Sequence, residues 1–205
     1  MIQERDISQQ SCLVKSKYLE TIKIVDREVY NLKYHQQRLD KTIGGGIITL
    51  KEIIKPQDFG VLRCRIIYDK DTYSVEYLPY QKREIKTLKL VFDDTVEYAQ
   101  KSENREKLNT LLEQKEDCDD VLIVKEGLIT DTTIANIAFF DGDIWLTPKQ
   151  PLLEGTMRAK LLDEKKIFAT YISYKDIYKF KKVALMNAMI DFDIITQDNI
   201  EDIIC

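Results

Sequence analysis

Apolar and polar positions alternate along residues 18–25, Tyr-Leu-Glu-Thr-Ile-Lys-Ile-Val, which predicts a β-strand with one covered face. Asp26-Arg27-Glu28 supplies a turn, and residues 29–32 return as the partner strand of a hairpin. The period then lengthens, so residues 35–42 read as a short helix whose exit falls at Gly44-Gly45-Gly46. Residues 61–68, 73–78 and 85–92 predict three more strands, separated by Asp69-Lys70-Asp71 and Pro79-Tyr80-Gln81. These complete a first α/β lobe over residues 1–95. Beyond it, Leu108, Leu111 and Leu112 recur at helical spacing within 103–116, which places Lys101 just ahead of a helix. A β-meander is expected at 121–124, 128–129, 137–140 and 144–146, turning at Glu126-Gly127 and Asp141-Gly142. Residues 156–163 predict a helix starting at Gly155, followed by strands at 167–172 and 182–186 with a short helix near 175–178 between them. The second lobe, 96–205, is therefore β-rich, and the fold class is mixed α/β.

Composition narrows the function classes. With 205 residues, 44% hydrophobic and 32% charged, the chain is long enough for a packed core in one large domain or two lobes. No apolar run approaches the roughly 20 residues that span a bilayer, and the first residues lack a signal-peptide pattern, so a cytoplasmic location without membrane contact is expected. A net charge of −4 from intermixed acids and bases leaves no broad basic surface for a nucleic-acid backbone. Cys12, Cys64, Cys118 and Cys205 show no CxxC spacing and read as isolated reduced thiols. His35 is the single histidine, which argues against a multi-histidine metal site; no metal is expected. Gly44-Gly45-Gly46 lacks the Lys-Ser/Thr of a P-loop and reads as a helix terminator or loop.

One constellation suggests covalent chemistry. Lys101 is followed thirty positions later by Asp131, with Thr132, Thr133, Ile134, Ala135 and Asn136 after it. A lysine amine and an acid for a pyridine nitrogen are what pyridoxal phosphate requires, because the lysine forms the imine and the acid keeps the ring able to absorb carbanion electrons. Taken singly, the lysine is an ordinary solvated charge and the aspartate an ordinary turn or cap residue. Lys107 is the rival lysine; it falls inside the expected helix and closer to Asp131.

Several collinear segments raise the odds: Leu19-Glu20-Thr21-Ile22-Lys23-Ile24-Val25-Asp26, Leu32-Lys33-Tyr34-His35-Gln36-Gln37-Arg38-Leu39, Lys101-Ser102-Glu103-Asn104-Arg105, Asp119-Asp120-Val121-Leu122-Ile123-Val124, residues 129–139, Leu153-Glu154-Gly155-Thr156-Met157-Arg158 and Met186-Asn187-Ala188-Met189. In this order and spacing the chain resembles the class IV aminotransferases, the fold-type IV pyridoxal phosphate enzymes. The resemblance implies a two-lobe, D-amino-acid aminotransferase-like fold with pyridoxal 5'-phosphate between the lobes, a small-molecule amino substrate and a homodimer. It makes Lys101 the catalytic, cofactor-bearing lysine and Arg38 the phosphate arginine. Thr156 and Met157 become backbone phosphate donors at a helix start, and Asn187 and Ala188 a late loop closing the pocket. Asp131 takes the place of the family's ring-nitrogen glutamate, one methylene shorter, in Asp-Thr-Thr-Ile-Ala-Asn where Glu-Gly-Ser-x-Ser-Asn is usual. Threonine also precedes the apolar residue at 156–157, the reverse of the family's Gly-Ile/Val-Thr-Arg.

Around Lys101 and Met186 the segments look most like aminodeoxychorismate lyases, which form 4-aminobenzoate and pyruvate. A branched-chain or D-amino-acid transaminase is the second reading. A weakened paralogue with a binding role is the third.

Overall fold

The computed structural model describes residues 16–46, 48–196 and 199–204. The first hairpin forms with its first strand as the alternation predicts: β1 (Tyr18–Val25) turns through Asp26 and Arg27, both at positive φ, into β2 (Glu28–Val29), which is shorter than the return strand expected over 29–32 because Leu32 already opens the next helix. The helix α1 (Leu32–Ile43) buries His35, Leu39 and Ile43 at a spacing of four, and it ends on Gly44 at φ 82°, a left-handed exit that favours glycine. A single turn, α2 (Leu50–Ile53), follows. Strands β3 (Val61–Tyr68) and β4 (Tyr73–Pro79) complete an antiparallel sheet ordered β2-β1-β3-β4. Its register runs unbroken from Tyr18 opposite Tyr68 to Val25 opposite Val61. One face of this sheet packs Ile22, Ile24, Leu62, Cys64 and Ile66 against Leu39 and Ile43 of α1. The other face is left for the cavity described below.

The remaining strands are β5 (Leu88–Phe92), β6 (Asp120–Lys125), β7 (Leu128–Thr132), β8 (Asn136–Phe140), β9 (Trp145–Pro148), β10 (Phe168–Thr170), β11 (Lys182–Asn187) and β12 (Asp191–Ile194). They form one mixed sheet, β10-β9-β8-β7-β6-β5, with β11 also on β8 and β12 on β11. Helix α3 (Glu106–Leu112) sets Leu108 and Leu111 against Val121 and Ile123, and α4 (Thr156–Asp163) sets Met157 and Leu161 against Ala138 and Met186. Every residue of β6 from Asp120 to Val124 is buried, as a strand covered on both faces must be.

Three expectations change. The strand assigned to the end of the first lobe joins the second sheet, where Leu88–Phe92 pairs in parallel with β6, so β4 is the last strand of the first sheet. β12 was not expected; Asp191–Ile194 pairs antiparallel with β11. Cys64 is free and buried, but Cys118 is disulfide-bonded, so the expectation of reduced thiols throughout fails there. No helix among the described residues is long and apolar enough to cross a membrane.

The two sheets meet where the chain crosses between them. Leu19 N–H donates to the Lys101 carbonyl at 2.8 Å, and Glu103 N–H to that of Lys17 at 2.9 Å. Lys23 reaches Asp191 at 2.5 Å, and Tyr34 on α1 donates to Asp163 on α4 at 3.0 Å.

Candidate active site

A cavity of about 520 Å³ lies between the sheets. Its walls come from the open face of β1 and β3, Arg38 on α1, the crossing segment with Tyr98, Lys101 and Arg105, the β7–β8 connection from Asp131 to Asn136, the start of α4, and the end of β11 from Met186 to Met189. The structure therefore gathers Arg38, Lys101, Asp131, Thr156, Asn187 and Ala188 around one space, although they span 150 positions of sequence. Met157 is the exception. Its side chain packs beside Ala138, Leu161 and Met186, so only its backbone faces the helix start.

Lys101 is fixed at its backbone by Leu19, and none of the ion pairs among the described residues involves its ammonium. Burial and then the field of Arg38 push its pKa down from 10.5 to about 7; Glu20 opposes this and Arg105 adds to it. An amine in that range can be neutral, and so basic, near neutral pH. The rival Lys107 sits elsewhere: its ammonium donates to the Thr95 carbonyl at 3.0 Å on the exposed side of α3 and is not among the residues lining the cavity.

Arg38 does not stand free. Its Nε and one terminal nitrogen hold the two oxygens of Glu20 at 2.8 and 2.6 Å, a bidentate pair buried at the foot of the cavity. Burial opposes the Glu20 charge, but the Arg38 guanidinium and the hydrogen bonds from His35 and Arg38 outweigh it and hold the carboxyl at about 2. His35, fully buried, is pushed towards its neutral form by burial, against the pull of Glu20. A neutral ring beside an ionised carboxylate has one consistent tautomer: Nδ1–H donates to Glu20 at 2.5 Å, and Nε2 accepts the Thr156 hydroxyl at 3.3 Å. The chain Arg38–Glu20–His35–Thr156 thus ties α1 to the start of α4. Thr156 spends its hydroxyl proton on this link.

Asp131 sits on the opposite wall, on β7 and not in the loop the sequence suggests. Asn136 Nδ2 donates to its Oδ1 at 2.7 Å and Leu153 N–H to its Oδ2 at 2.9 Å. Burial raises its pKa to about 6, with those two neutral donors and the more distant Arg158 opposing. Asn136 also donates to the Leu153 carbonyl, and its Oδ1 lies so close to Gly155 that a Cβ there would collide with it. Gly155 has an ordinary φ of −68°, so space and not backbone conformation demands glycine at the head of α4. No side chain caps that helix start. Asn187 uses its amide to close the loop, donating to the Ile134 carbonyl and accepting from Met189 and Ile190 N–H groups.

The sequence profile of the amino-transferase class IV family matches residues 50–197. The chain belongs to that family. Such enzymes depend on pyridoxal phosphate, and the mixed α/β fold is that of fold-type IV. An uncharacterised protein of Haemophilus influenzae is 34% identical over 180 residues, covering 83% of this chain and 96% of its own length. A candidate aminodeoxychorismate lyase of Schizosaccharomyces pombe is 30% identical, covering 68% and 71%. Among solved structures, a candidate 4-amino-4-deoxychorismate lyase from Haemophilus somnus superposes with a TM-score of 0.74 at 37% identity, over 85% of this chain and 96% of that one. The branched-chain amino acid aminotransferase of Escherichia coli shares the fold alone, with a TM-score of 0.68 at 13% identity over 93% and 79%.

Several residues in or behind the cavity had no role in the sequence reading. Glu20, which holds Arg38 from behind, was readable as an acid on the strand face that also carries Ile22 and Ile24, where a charge needs a partner. Arg63, Arg65 and Arg83 gave no such signal, since each is an unremarkable basic residue until the fold brings it to the cavity.

Proposed function

We propose that this chain is a pyridoxal phosphate enzyme acting as a 4-amino-4-deoxychorismate lyase. The observation that carries the cofactor half of the reading is the convergence on one cavity of a depressed lysine, a buried aspartate paired with neutral donors, and an uncapped helix start beside Arg38. This donor set fits the group: Lys101 for the aldehyde, Asp131 for the ring nitrogen, and Arg38 with the amides of Thr156 and Met157 for the phosphate. Asn187 and Ala188 shape the loop beside it. When bound, pyridoxal phosphate supplies an electron sink for the pair released by deprotonation.

Within that site Lys101 takes a proton from the ring carbon bearing the substrate amine; the ring C–O bond breaks, the ether oxygen leaves with the three-carbon unit as enolpyruvate, and a proton returned to its methylene carbon gives pyruvate. The atoms balance without a second substrate. Asp131, shorter than a glutamate, is set close to the cavity by β7 and by Asn136 and Leu153. The chain is read as a homodimer, as its family resemblance implies. The likeness to two candidate lyases supports this reaction over transamination.

Product analysis separates them. Given aminodeoxychorismate and no keto acid, the enzyme should release 4-aminobenzoate and pyruvate over many turnovers. Turnover that requires a keto acid, without 4-aminobenzoate, would make it a transaminase; no turnover with a bound cofactor would leave a binding role.

A further inference from the structure

The face of the first sheet that lines the cavity carries a row of charge. Strand alternation puts Leu19, Thr21 and Lys23 of β1 on that side, directly opposite Ile67, Arg65 and Arg63 of β3. Leu19 is the residue bonded to the Lys101 backbone, so each two-residue step along the row moves about 7 Å away from that attachment. Arg65 stands one step away and Arg63 two. The cations of this row differ in what they hold. Lys23 is paired with Asp191 at 2.5 Å, and Arg65 lies 3.1 Å from the half-exposed Glu76. Arg63 is paired with no carboxylate among the described residues, and its Nε is buried without a hydrogen-bond partner. A buried guanidinium N–H without an acceptor is costly to leave unmade, and a carboxylate is the group whose two oxygens match the fork.

We propose that Arg63, backed by Arg65, is the subsite for the substrate carboxylate farthest from the reacting amine. The substrate class is then an amine bearing a remote carboxylate, and not an α-amino acid, whose carboxylate adjoins the amine. This deepens the reading of the cavity as a cofactor and amine site and rests on it. Arg63 is a specificity residue and leaves cofactor binding to the other end of the cavity.

The test compares 4-aminobenzoate with aniline, which differ in the remote carboxylate alone, by calorimetric titration of the holoprotein. The unaltered protein should prefer 4-aminobenzoate. Arg63→Met should lower its affinity for 4-aminobenzoate by about tenfold or more, with aniline binding and the cofactor absorbance per chain unchanged. Arg63→Lys should recover part of the preference, and it serves alone if the methionine variant does not fold. Equal weakening of both ligands, an unchanged preference in the variants, or no preference in the unaltered protein overturns the subsite. The outcome is independent of the lyase assay. An Arg63-dependent preference in a protein that releases no 4-aminobenzoate from aminodeoxychorismate sinks the lyase and keeps the subsite, whereas lyase turnover with an unaltered KM in Arg63→Met does the reverse.

Discussion

Glu20 and Asp131 are both buried carboxylates on strands, Glu20 behind the cavity holding Arg38 and Asp131 in the opposite wall, and their surroundings have opposite effects. Glu20 meets a guanidinium fork and an imidazole N–H and stays ionised down to about pH 2. Asp131 meets an amide side chain and a backbone N–H, and burial wins, lifting its pKa to about 6. Equal burial therefore does not mean equal state. The first acid is already neutralised by the protein's own cation and serves to hold Arg38 in place. The second has only the more distant Arg158 as a counter-charge and makes no ion pair among the described residues, so it is open to a closer cation, which is what a protonated pyridine nitrogen would be.

The largest effect that would break this comparison comes from opening the first pair. Glu20→Gln should cost about 3–5 kcal/mol of stability in urea unfolding, because it leaves a buried guanidinium without its counter-charge. Removing both members with Glu20→Gln and Arg38→Met should cost clearly less than the single change. If the single variant is as stable as the unaltered protein, the pair is not what holds Arg38.

The second effect is a pH dependence of opposite sign at the two acids. Asp131 binds its proton more tightly folded than unfolded, so its contribution is fully present below pH 3.8 and is lost as pH rises through about 6. Glu20 binds its proton less tightly folded, so its contribution is present above 4.5 and is lost as pH falls through about 2. In the cofactor-free protein, unfolding measured between pH 4 and 7 should show an Asp131 decline on the order of 3 kcal/mol that is missing from Asp131→Asn. Identical slopes for the two proteins would contradict the account of Asp131.

A smaller effect tests what the first pair is for. In the Glu20→Gln background, where no unpaired carboxylate confuses the result, changing Arg38 to Met should weaken pyridoxal phosphate retention by about 1.5–3 kcal/mol, read from absorbance titration. Unchanged retention would remove Arg38 from the phosphate site.

The legibility of the two walls in the sequence also differs, and for physical reasons. Local pattern decided β3 and α4 to the residue, since strict alternation in Val61–Tyr68 and a glycine ahead of Thr156–Asp163 each point to one structure. Gly44 marked the end of α1 equally well. The partner of a strand is not local information, and so β5 was assigned to the wrong sheet: Leu88-Lys89-Leu90-Val91-Phe92 is as good an edge for one as for the other. The same limit applies at the site. Lys101, Arg38 and Asp131 could be chosen because their neighbours in sequence resemble a family. That His35 links Glu20 to Thr156, and that Arg63 keeps a buried donor unpartnered, depends on contacts across 121 positions and between strands, which no local pattern encodes.

The position of the cofactor lysine tests the central claim most directly. The holoprotein, reduced with borohydride and digested, should yield a single modified peptide with the pyridoxyl adduct on Lys101, and Lys101→Ala should lose both the adduct and the bound-aldehyde absorbance. An adduct on Lys107, or none on a protein that demonstrably carries the cofactor, would contradict the account.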